Sequence, residues 1–322
     1  MTTIGTVDVH QHLWPGPLIE ALRARRRPPM LRGWILHLDG EPPYPVRPAD
    51  HDLEVRRAQP DGAQLALISL SSPLGLEDLP PAEATALLES WHQGAAAFPA
   101  GFGAWAAVPR HDPDLDGLAE RLNSGFVGLQ VPAGWLLTPG RLERLAPVLA
   151  VCEQADRPVL VHPGAVPAGP GPTDPNPTDP NPAGPNSAGP NPAGALPGWW
   201  AAVVDYTSQL QAAWWSWHVA GRALLPSLRI GFVAGAGLAP LQHERLQARG
   251  GRLGAIDPNV FVETSSHGPQ AIDALIRVLG IDGVIRGSDR PYAQPVPFGL
   301  GAAAERAIDV NNPRRFLFGG TP

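Results

Sequence analysis

The chain has 322 residues, of which 43% are hydrophobic and 17% are charged, and its formal net charge is −6. This composition indicates a globular protein with a sizeable core and excludes a disordered or collagen-like chain. The longest basic run, "RARRR" at 23–27, is too short to indicate a nucleic-acid-binding surface, so we expect no nucleic-acid partner.

Cysteine content and the N-terminus bear on the compartment. Cys152 is the only cysteine, so no intrachain disulfide can form and a reducing compartment is expected. Its helical context, "LAVCEQA", predicts a small buried apolar side chain rather than a nucleophile. The N-terminus lacks the regions of a secretory signal, and no apolar stretch approaches the ~18 residues that a membrane span needs. We therefore expect a cytoplasmic protein with no membrane partner.

Eight short apolar or β-branched runs recur along the chain and are predicted as strands. In chain order they cover Ile4–His10, Ala63–Leu70, Gly103–Pro109, Phe126–Pro132, Pro158–Pro163, Arg229–Gly235, Val260–Ser265 and Val284–Asp289. Segments with helical spacing separate them, and this alternation is typical of a parallel sheet covered by helices. Eight such units predict an α/β fold, a (β/α)₈ TIM barrel in a single domain over 1–322, with active-site groups at the C-terminal strand ends.

Two segments depart from this alternation. The stretch Leu13–Gly62 is long and proline-rich, and it predicts an excursion over the barrel mouth. After strand five, residues 164–198 form a Pro/Asn/Gly-rich insertion with a five-residue repeat, "PTDPN", "PTDPN", "PAGPN" and "SAGPN", from Pro172 to Asn191. This low-complexity insertion has almost nothing to bury, so we predict that it is disordered and extended. A tolerated expansion is favoured over a substrate lid.

Two histidines, His10 and His12, end the first predicted strand in "TVDVHQHLWP". Because strand side chains alternate between faces, both imidazoles point the same way and can hold one metal ion. Chance alone places such a pair in about one third of chains of this composition, so further ligands are needed. His162 ends strand five in "VLVHPG", and Asp289 ends strand eight in "IRGSDRP". In a barrel all four side chains meet at the mouth, where three imidazoles and one carboxylate suit a divalent ion.

The order of these motifs, HxH, then "HPG", then "GSDxP", resembles that of the amidohydrolase superfamily. It is most similar to the amidohydrolase-related branch that includes aminocarboxymuconate semialdehyde decarboxylase and related carboxy-lyases. The stretches "LPSLRIGFVAGAGLAPLQHERL" and "VNNPRRFLFG" look like the family's strand-six region and C-terminal helix.

The resemblance implies that His10, His12, His162 and Asp289 bind one divalent metal ion. Zn²⁺ is the first candidate, and Mn²⁺ and Fe²⁺ are alternatives. It also implies that Asp289 accepts a proton from a metal-bound water, whose pKa the ion lowers towards about 7. The family's strand-four lysine has no match in "FVGLQVP", which indicates a mononuclear site.

One position departs from the family pattern. Where the family has a histidine at the end of strand six, "FVAGAG" places Ala234, which can neither ligate a metal nor transfer a proton. The decarboxylating members use that histidine as an acid/base, so its loss weakens a decarboxylase hypothesis more than a hydrolase hypothesis. His267, beyond strand seven in "VETSSHG", is the candidate catalytic replacement; the alternative is a surface or supporting histidine.

Four further residues are candidates by their positions. Trp14 follows the histidine pair and is expected to line the substrate pocket. Arg290 and Tyr292 follow Asp289 and can bind a substrate carboxylate, although Arg290 can equally pair with a neighbouring acid. Glu263, within strand seven, is a candidate for orienting a metal ligand.

Three functions remain open from the sequence. The leading hypothesis is a metal-dependent hydrolase that uses a metal-activated water on an amide, lactone or related carbonyl substrate. The alternative is a metal-dependent carboxy-lyase acting on a small aromatic or unsaturated acid. The third is a barrel that has lost catalysis, an alternative that stays open because Ala234 stands where the family has its histidine. The expected partners are a small-molecule substrate and, from the resemblance and the tryptophan-rich segment at 199–217, a second copy of the chain as a homodimer.

Overall fold

The computed structural model of the protein describes residues 5–58, 62–166, 196–252 and 254–320. The strands in these ranges are β1 (Val7–His12), β2 (Met30–Arg32), β3 (Ile35–His37), β4 (Tyr44–Pro45), β5 (Leu65–Ser69), β6 (Phe102–Ala104), β7 (Leu129–Pro132), β8 (Val159–His162), β9 (Ile230–Phe232), β10 (Val260–Glu263) and β11 (Val284–Ile285). The α-helices are α1 (Gly16–Ala24), α2 (Leu53–Ala58), α3 (Pro81–Ala95), α4 (Leu115–Asn123), α5 (Pro139–Gln154), α6 (Tyr206–Ser216), α7 (Arg222–Leu224), α8 (His243–Ala248), α9 (Pro269–Leu279), α10 (Ala302–Arg306) and α11 (Asn312–Phe318). Most of the predicted insertion at 164–198 lies outside the described residues, so its disorder stays a prediction.

All eight predicted strands are present and parallel, as β1 and β5 to β11. The first sheet has the order β1-β5-β6, and the second runs from β7 to β11 with neighbours in chain order. Backbone bridges join the two sheets at both edges, between Ala106 and Leu129 and between Gln11 and Arg290. The order around the two sheets is that of the predicted barrel, and it brings all eight C-terminal strand ends to one side.

The parallel strands are shorter than predicted, and β6 and β11 end early because the backbone changes its pairing partner. After β6, the Ala106 N–H donates to the Gly128 carbonyl, so the chain leaves β5 and turns to β7. After β11, Asp289 N–H donates to the His10 carbonyl at 2.9 Å, so this segment follows β1 instead of β10. The two changes of partner occur at the edges where the sheets meet.

Helices cover the parallel strands, and α9 shows why they form. Its buried residues Ile272, Leu275 and Leu279 are spaced three and four apart, so they lie on one face of the helix. The helix ends at Gly280, whose φ of 77° lies in the left-handed region that favours glycine. Cys152 on α5 is fully buried, and burial raises the pKa of its thiol, as expected for a side chain with an apolar packing role.

The predicted excursion between β1 and β5 contains α1, α2 and the antiparallel sheet β2-β3-β4. Arg56 on α2 is buried and ties this segment to the end of β1. Its Nη1 donates to the His12 carbonyl at 2.7 Å, and its Nη2 donates to Gln11 Oε1 at 2.6 Å. The excursion therefore packs directly against the strand that carries the histidine pair. Among the described residues, no helix combines the length and apolar character that a membrane crossing requires.

Candidate metal centre

The four predicted ligands meet at the C-terminal edge of the parallel strands. One ligand atom from each of His10, His12, His162 and Asp289 lies within 4.8 Å of the others. His10 Nε2 is 3.1 Å from His12 Nε2, and Asp289 Oδ1 is 3.6 Å from the first and 3.2 Å from the second. It is the only group of three or more histidine, cysteine and carboxylate side chains of this kind in the described part of the chain.

The local backbone explains this convergence. His10 and His12 share one face of β1, and His162 is the last residue of β8. Asp289 lies beyond β11 with φ of 56°, a left-handed conformation that aspartate adopts more readily than most residues. The hydrogen bond from its N–H to the His10 carbonyl holds it in this conformation. The carboxylate is therefore fixed relative to the histidine pair through the backbone of β1.

Each imidazole has its Nδ1 fixed by an acceptor, which assigns its tautomer. His12 Nδ1 is 3.0 Å from the Ser69 carbonyl, His162 Nδ1 is 2.8 Å from the Pro163 carbonyl, and His10 Nδ1 is 3.3 Å from Glu263 Oε2. Because these oxygens accept hydrogen bonds, the three Nδ1 atoms carry the protons and the Nε2 lone pairs face the centre. Two lone pairs 3.1 Å apart repel each other unless a cation lies between them. The donor set therefore fits one divalent cation.

The pKa shifts of His12 and His162 agree with neutral imidazole ligands. Burial and the positive charge of a neighbouring imidazole lower the pKa of His12 and of His162 well below the ordinary value. Burial alone would also lower the pKa of His10, but the carboxylates of Glu263, Asp289 and Asp8 together outweigh burial and the net shift is upward. Burial raises the pKa of Asp289, and His10 and His162 partly offset this rise.

Glu263, at the end of β10, is placed to orient His10. The residue is fully buried, and its Oε2 also accepts from the Ala234 N–H at 3.0 Å and from Ser265 Oγ at 2.7 Å. Its Oε1 accepts from the Ser265 N–H at 2.5 Å. A carboxylate that accepts a hydrogen bond from the far nitrogen of a ligand histidine fixes the ring and increases its basicity. Glu263 therefore lies where a residue that orients His10 is expected to lie.

The segment after β9, which is the sixth predicted strand and lacks the family's histidine, has an unusual backbone. Ala234, Gly235, Ala236, Gly237 and Leu238 all have φ between 46° and 61°. For the non-glycine residues such a conformation costs roughly 1–2 kcal/mol each, so tertiary contacts must hold it. The Ala234 N–H donates to Glu263, and the Gly237 carbonyl accepts from Gln211 Nε2 at 2.7 Å.

His267 does not join the four-residue cluster. Its Nε2 lies 3.0 Å from the Ala234 carbonyl, to which it donates. The side chain lines a separate cavity of about 320 Å³ between the loop after β10, the loop after β11 and the C-terminal helices. The contact with Ala234 matches the supporting role that the sequence left open, and a catalytic role for His267 stays a prediction.

The two predicted substrate-binding residues differ in their surroundings. Trp14 is only 2% exposed; its Nε1 donates to Ser71 Oγ at 2.9 Å, and its ring stacks on His51 with centroids 4.3 Å apart. It therefore supports the wall behind His12 instead of forming an open surface. The Arg290 carbonyl accepts from the His12 N–H, and the buried Nε of Arg290 has no hydrogen-bond partner within the described ranges. Substrate binding by either residue stays a prediction.

Two residues beside the cluster were missed by sequence reasoning. Asp8 is buried and accepts from the N–H groups of His10 and Ser288, both at 3.1 Å, and from Gln11 Nε2 at 2.8 Å. Ser71 Oγ lies 3.3 Å from His12 Nδ1. Asp8 shares one face of β1 with His10, so the alternation of side chains along a strand could have found it, and Ser71 is two residues after β5, so the strand-end rule could have found that residue.

Comparisons with known proteins bear on the fold of the chain. No protein-family model matches the chain, and no curated protein sequence does. The chain is similar to the apo structure of IDCase from Metarhizium anisopliae, with a TM-score of 0.73, 18% identity and 97% of each chain covered. It is also similar to 5-carboxyvanillate decarboxylase from Sphingomonas paucimobilis, with a TM-score of 0.67, 17% identity and coverage of 98% of this chain and 99% of that one.

A third similar structure contains a metal ion. It is a dihydroxybenzoic acid decarboxylase from a Polaromonas species, with bound manganese and the inhibitor 2-nitroresorcinol; the TM-score is 0.60, the identity 16% and the coverage 98% of this chain and 97% of that one. At these identities the likeness shows the fold. The chain therefore has the fold of the amidohydrolase-like decarboxylases, as the order of its motifs indicated.

Proposed function

We propose that the protein is a metal-dependent carboxy-lyase that removes CO₂ from a small aromatic or unsaturated acid on an eight-stranded α/β barrel. The observation that carries this proposal is the convergence of His10, His12, His162 and Asp289 in a fold shared with decarboxylases of aromatic acids. The comparisons favour this reaction over the hydrolysis that the sequence put first.

The chain supplies a site for one divalent ion, which we propose to be Mn²⁺ or Zn²⁺. Three neutral imidazole nitrogens and one carboxylate oxygen can bind either ion, and manganese is bound in the Polaromonas enzyme. When bound, such an ion withdraws electron density from a substrate oxygen and stabilises the negative charge that develops there.

Asp289 is the proposed proton donor. Its side chain is 23% exposed, whereas those of His10 and His12 are at most 2% exposed, so it is the ligand that a substrate can reach most easily. When the bond to the carboxylate carbon breaks, its electron pair stays on the substrate carbon and the carboxylate leaves as CO₂. Asp289, an ionised carboxylate in the resting site, first takes a proton from water, and the substrate carbon then takes that proton from it.

Hydrolysis remains a second candidate because of Ala234. The alanine after β9 stands where the decarboxylating relatives are expected to have an acid/base. Hydrolysis needs only the metal ligands and a carboxylate base. In that case Asp289 would accept a proton from the attacking water instead of donating one to carbon.

A substrate panel separates these reactions. Metal-replete protein is incubated with hydroxybenzoates, unsaturated acids, lactones and amides, while CO₂ release and ring opening are followed in parallel. We expect CO₂ release from at least one acid, loss of it in Asp289→Asn, and normal release in the control Asp273→Asn, whose side chain is 52% exposed. Hydrolysis without CO₂ release would contradict the proposal in favour of the second candidate. Turnover of no compound by metal-replete protein would favour a barrel without catalysis.

A further inference from the structure

The cavity that His267 lines lies apart from the four proposed metal ligands. Its volume is about 320 Å³, and it is bounded by the loop after β10, the segment after β11 and the helical stretch that begins with α10. None of its lining residues is one of the four proposed ligands. Its size is at the lower end of the range for small-molecule sites in proteins, so it can hold a small organic molecule.

The charged side chains that line this cavity are Arg286, Glu305 and Asp309. Arg286 Nη1 is 3.3 Å from Asp309 Oδ2, and the two side chains are 20% and 22% exposed. This ion pair is therefore largely shielded from water and holds Asp309 in place. One guanidinium and two carboxylates leave the lining with an excess of negative charge, and the Glu305 carboxylate is the group that this ion pair does not neutralise.

The two carboxylates of the cavity repel each other. Glu305 and Asp309 are four residues apart on one helical stretch, so their side chains lie on the same side of it and both face the cavity. Burial raises the pKa of Asp309; Arg286 offsets part of this rise, and the negative charge of Glu305 adds to it. A cation bound beside the two carboxylates would relieve their repulsion.

The rest of the lining includes an apolar wall. It is formed by four consecutive residues on the segment after β11, Pro295, Val296, Pro297 and Phe298. Val296 is 46% exposed although its side chain is aliphatic. A ligand that covers this wall removes apolar surface from water, which favours binding. An apolar wall next to charged side chains suits a ligand that has an apolar body and one charged end.

We propose that this cavity is a second binding site of the protein, for a small organic amine with an apolar body. The ammonium group binds the Glu305 carboxylate, and the apolar body covers Val296 and Phe298. A neutral molecule of the same shape lacks the ion pair, and an organic acid is disfavoured because the lining already has an excess of negative charge. The site does not depend on the proposed reaction, since it shares no residue with the metal ligands.

Three ligands that share a ring and differ in the charge of their end group test the proposal: 2-phenylethylamine, 2-phenylethanol and phenylacetate. Their Kd values are measured by calorimetry at about pH 8, where an ordinary histidine is neutral, on Mn²⁺-loaded wild-type protein, Glu305→Gln, Glu305→Lys and the control Glu54→Gln. The Glu54 side chain on α2 is 80% exposed. We expect wild-type protein and the control to bind the amine about tenfold more tightly than the alcohol, the size typical of a hydrogen bond to a charged group. Glu305→Gln should bind the amine and the alcohol equally, and Glu305→Lys should prefer phenylacetate.

The outcomes decide both the chemistry of the ligand and its place. An amine preference that survives in Glu305→Gln, or wild-type protein that does not bind the amine more tightly than the alcohol, would overturn the proposal. The wild-type measurement is repeated after a chelator has removed Mn²⁺. Equal Kd values with and without Mn²⁺ would support the cavity, whereas amine binding that requires Mn²⁺ would place the amine at the metal centre and overturn the proposal. Near-ultraviolet circular dichroism shows whether each variant keeps the fold, and a misfolded Glu305→Gln is replaced by Glu305→Ala under the same criteria.

Discussion

Replacing Glu263 by glutamine is the sharpest test of the proposed metal centre. The substitution keeps the shape of the side chain and removes its charge. The carboxylate accepts four hydrogen bonds: Oε2 takes three, from His10 Nδ1, Ala234 N and Ser265 Oγ, and Oε1 takes one, from Ser265 N. A glutamine that keeps its oxygen at Oε2 preserves three of these bonds but turns its NH₂ group towards the Ser265 N–H. The NH₂ group of the glutamine and the Ser265 N–H are both donors and repel each other. His10 Nδ1 then donates to a neutral oxygen instead of a charged one.

The expected magnitude follows from this loss. Hydrogen bonds to an ionised acceptor are roughly twice as strong as those between neutral groups, so the three bonds that remain also weaken. Loss of a group that orients a ligand histidine typically lowers metal affinity by about 10- to 100-fold, which corresponds to about 1.4–2.7 kcal/mol. We expect Glu263→Gln to bind Mn²⁺ or Zn²⁺ more weakly by this factor.

The measurement is a metal titration of apo-protein against a competing chelator, for wild-type protein, Glu263→Gln and the control Glu20→Gln. The Glu20 side chain is 71% exposed and pairs with Arg23, so its substitution should leave metal affinity unchanged. Urea unfolding of the three apo-proteins shows whether the fold is kept. Metal affinity of Glu263→Gln within twofold of the wild-type value would refute the orienting role of Glu263.

Three further outcomes are expected. Asp289→Asn should release CO₂ at least about 10²-fold more slowly, the usual contribution of a positioned proton donor, and equal rates in a stopped assay would contradict its role. Chelation should lower the thermal midpoint of unfolding, because an ion at 100 times its Kd stabilises the fold by about 2.7 kcal/mol; identical calorimetric midpoints with and without chelator would argue against a resident ion. Burial lowers the pKa of His92 to about 3, and its Nε2 accepts the Ala107 N–H at 3.2 Å. Since an unfolded histidine titrates near pH 6.5, the unfolded state binds the extra proton below that pH, and wild-type protein should lose about 1.4 kcal/mol of stability per pH unit relative to His92→Gln between pH 6 and pH 4. Urea unfolding curves of the two proteins that shift in parallel over this range would contradict that assignment.

The strand pattern was predictable because a strand that is buried on both faces has a continuously apolar sequence. Runs such as "PVLVHP" are continuously apolar, as expected of a parallel strand covered by helices and core, and β8 is buried along its whole length. The alternation of such runs with helical segments then predicted parallel order and one common edge for the strand ends. The precise ends of β6 and β11 were not predictable, because they depend on which neighbouring strand accepts the next hydrogen bond.

The metal cluster was predictable for the same reason. His10, His12, His162 and Asp289 follow or end predicted strands, and a parallel arrangement sends all such positions to one side. Residue type and strand position were enough to select them, although nearly 280 residues separate the first from the last. Glu263 was also predictable, since it ends another strand at the same edge.

The supporting contacts were decided by tertiary structure alone. Nothing local in the sequence indicates that Ser71 joins Trp14, His12 and Tyr292, because the bonds cross from one strand end to another. The placement of His267 against the Ala234 carbonyl likewise depends on the left-handed backbone after β9, which a stretch of alanines and glycines does not specify.

By itself, the sequence determined the strand order, the edge at which function lies and the four side chains that meet there, because these follow from burial periodicity and chain direction. Only the tertiary structure decided which nitrogen of each histidine faces the centre and which carboxylate orients His10. Such features depend on distances of about 3 Å between residues far apart in the chain, and hydrogen-bond strength falls steeply beyond that range. Periodicity places a residue on a face of the fold, but the packed structure is needed to pair one donor with one acceptor.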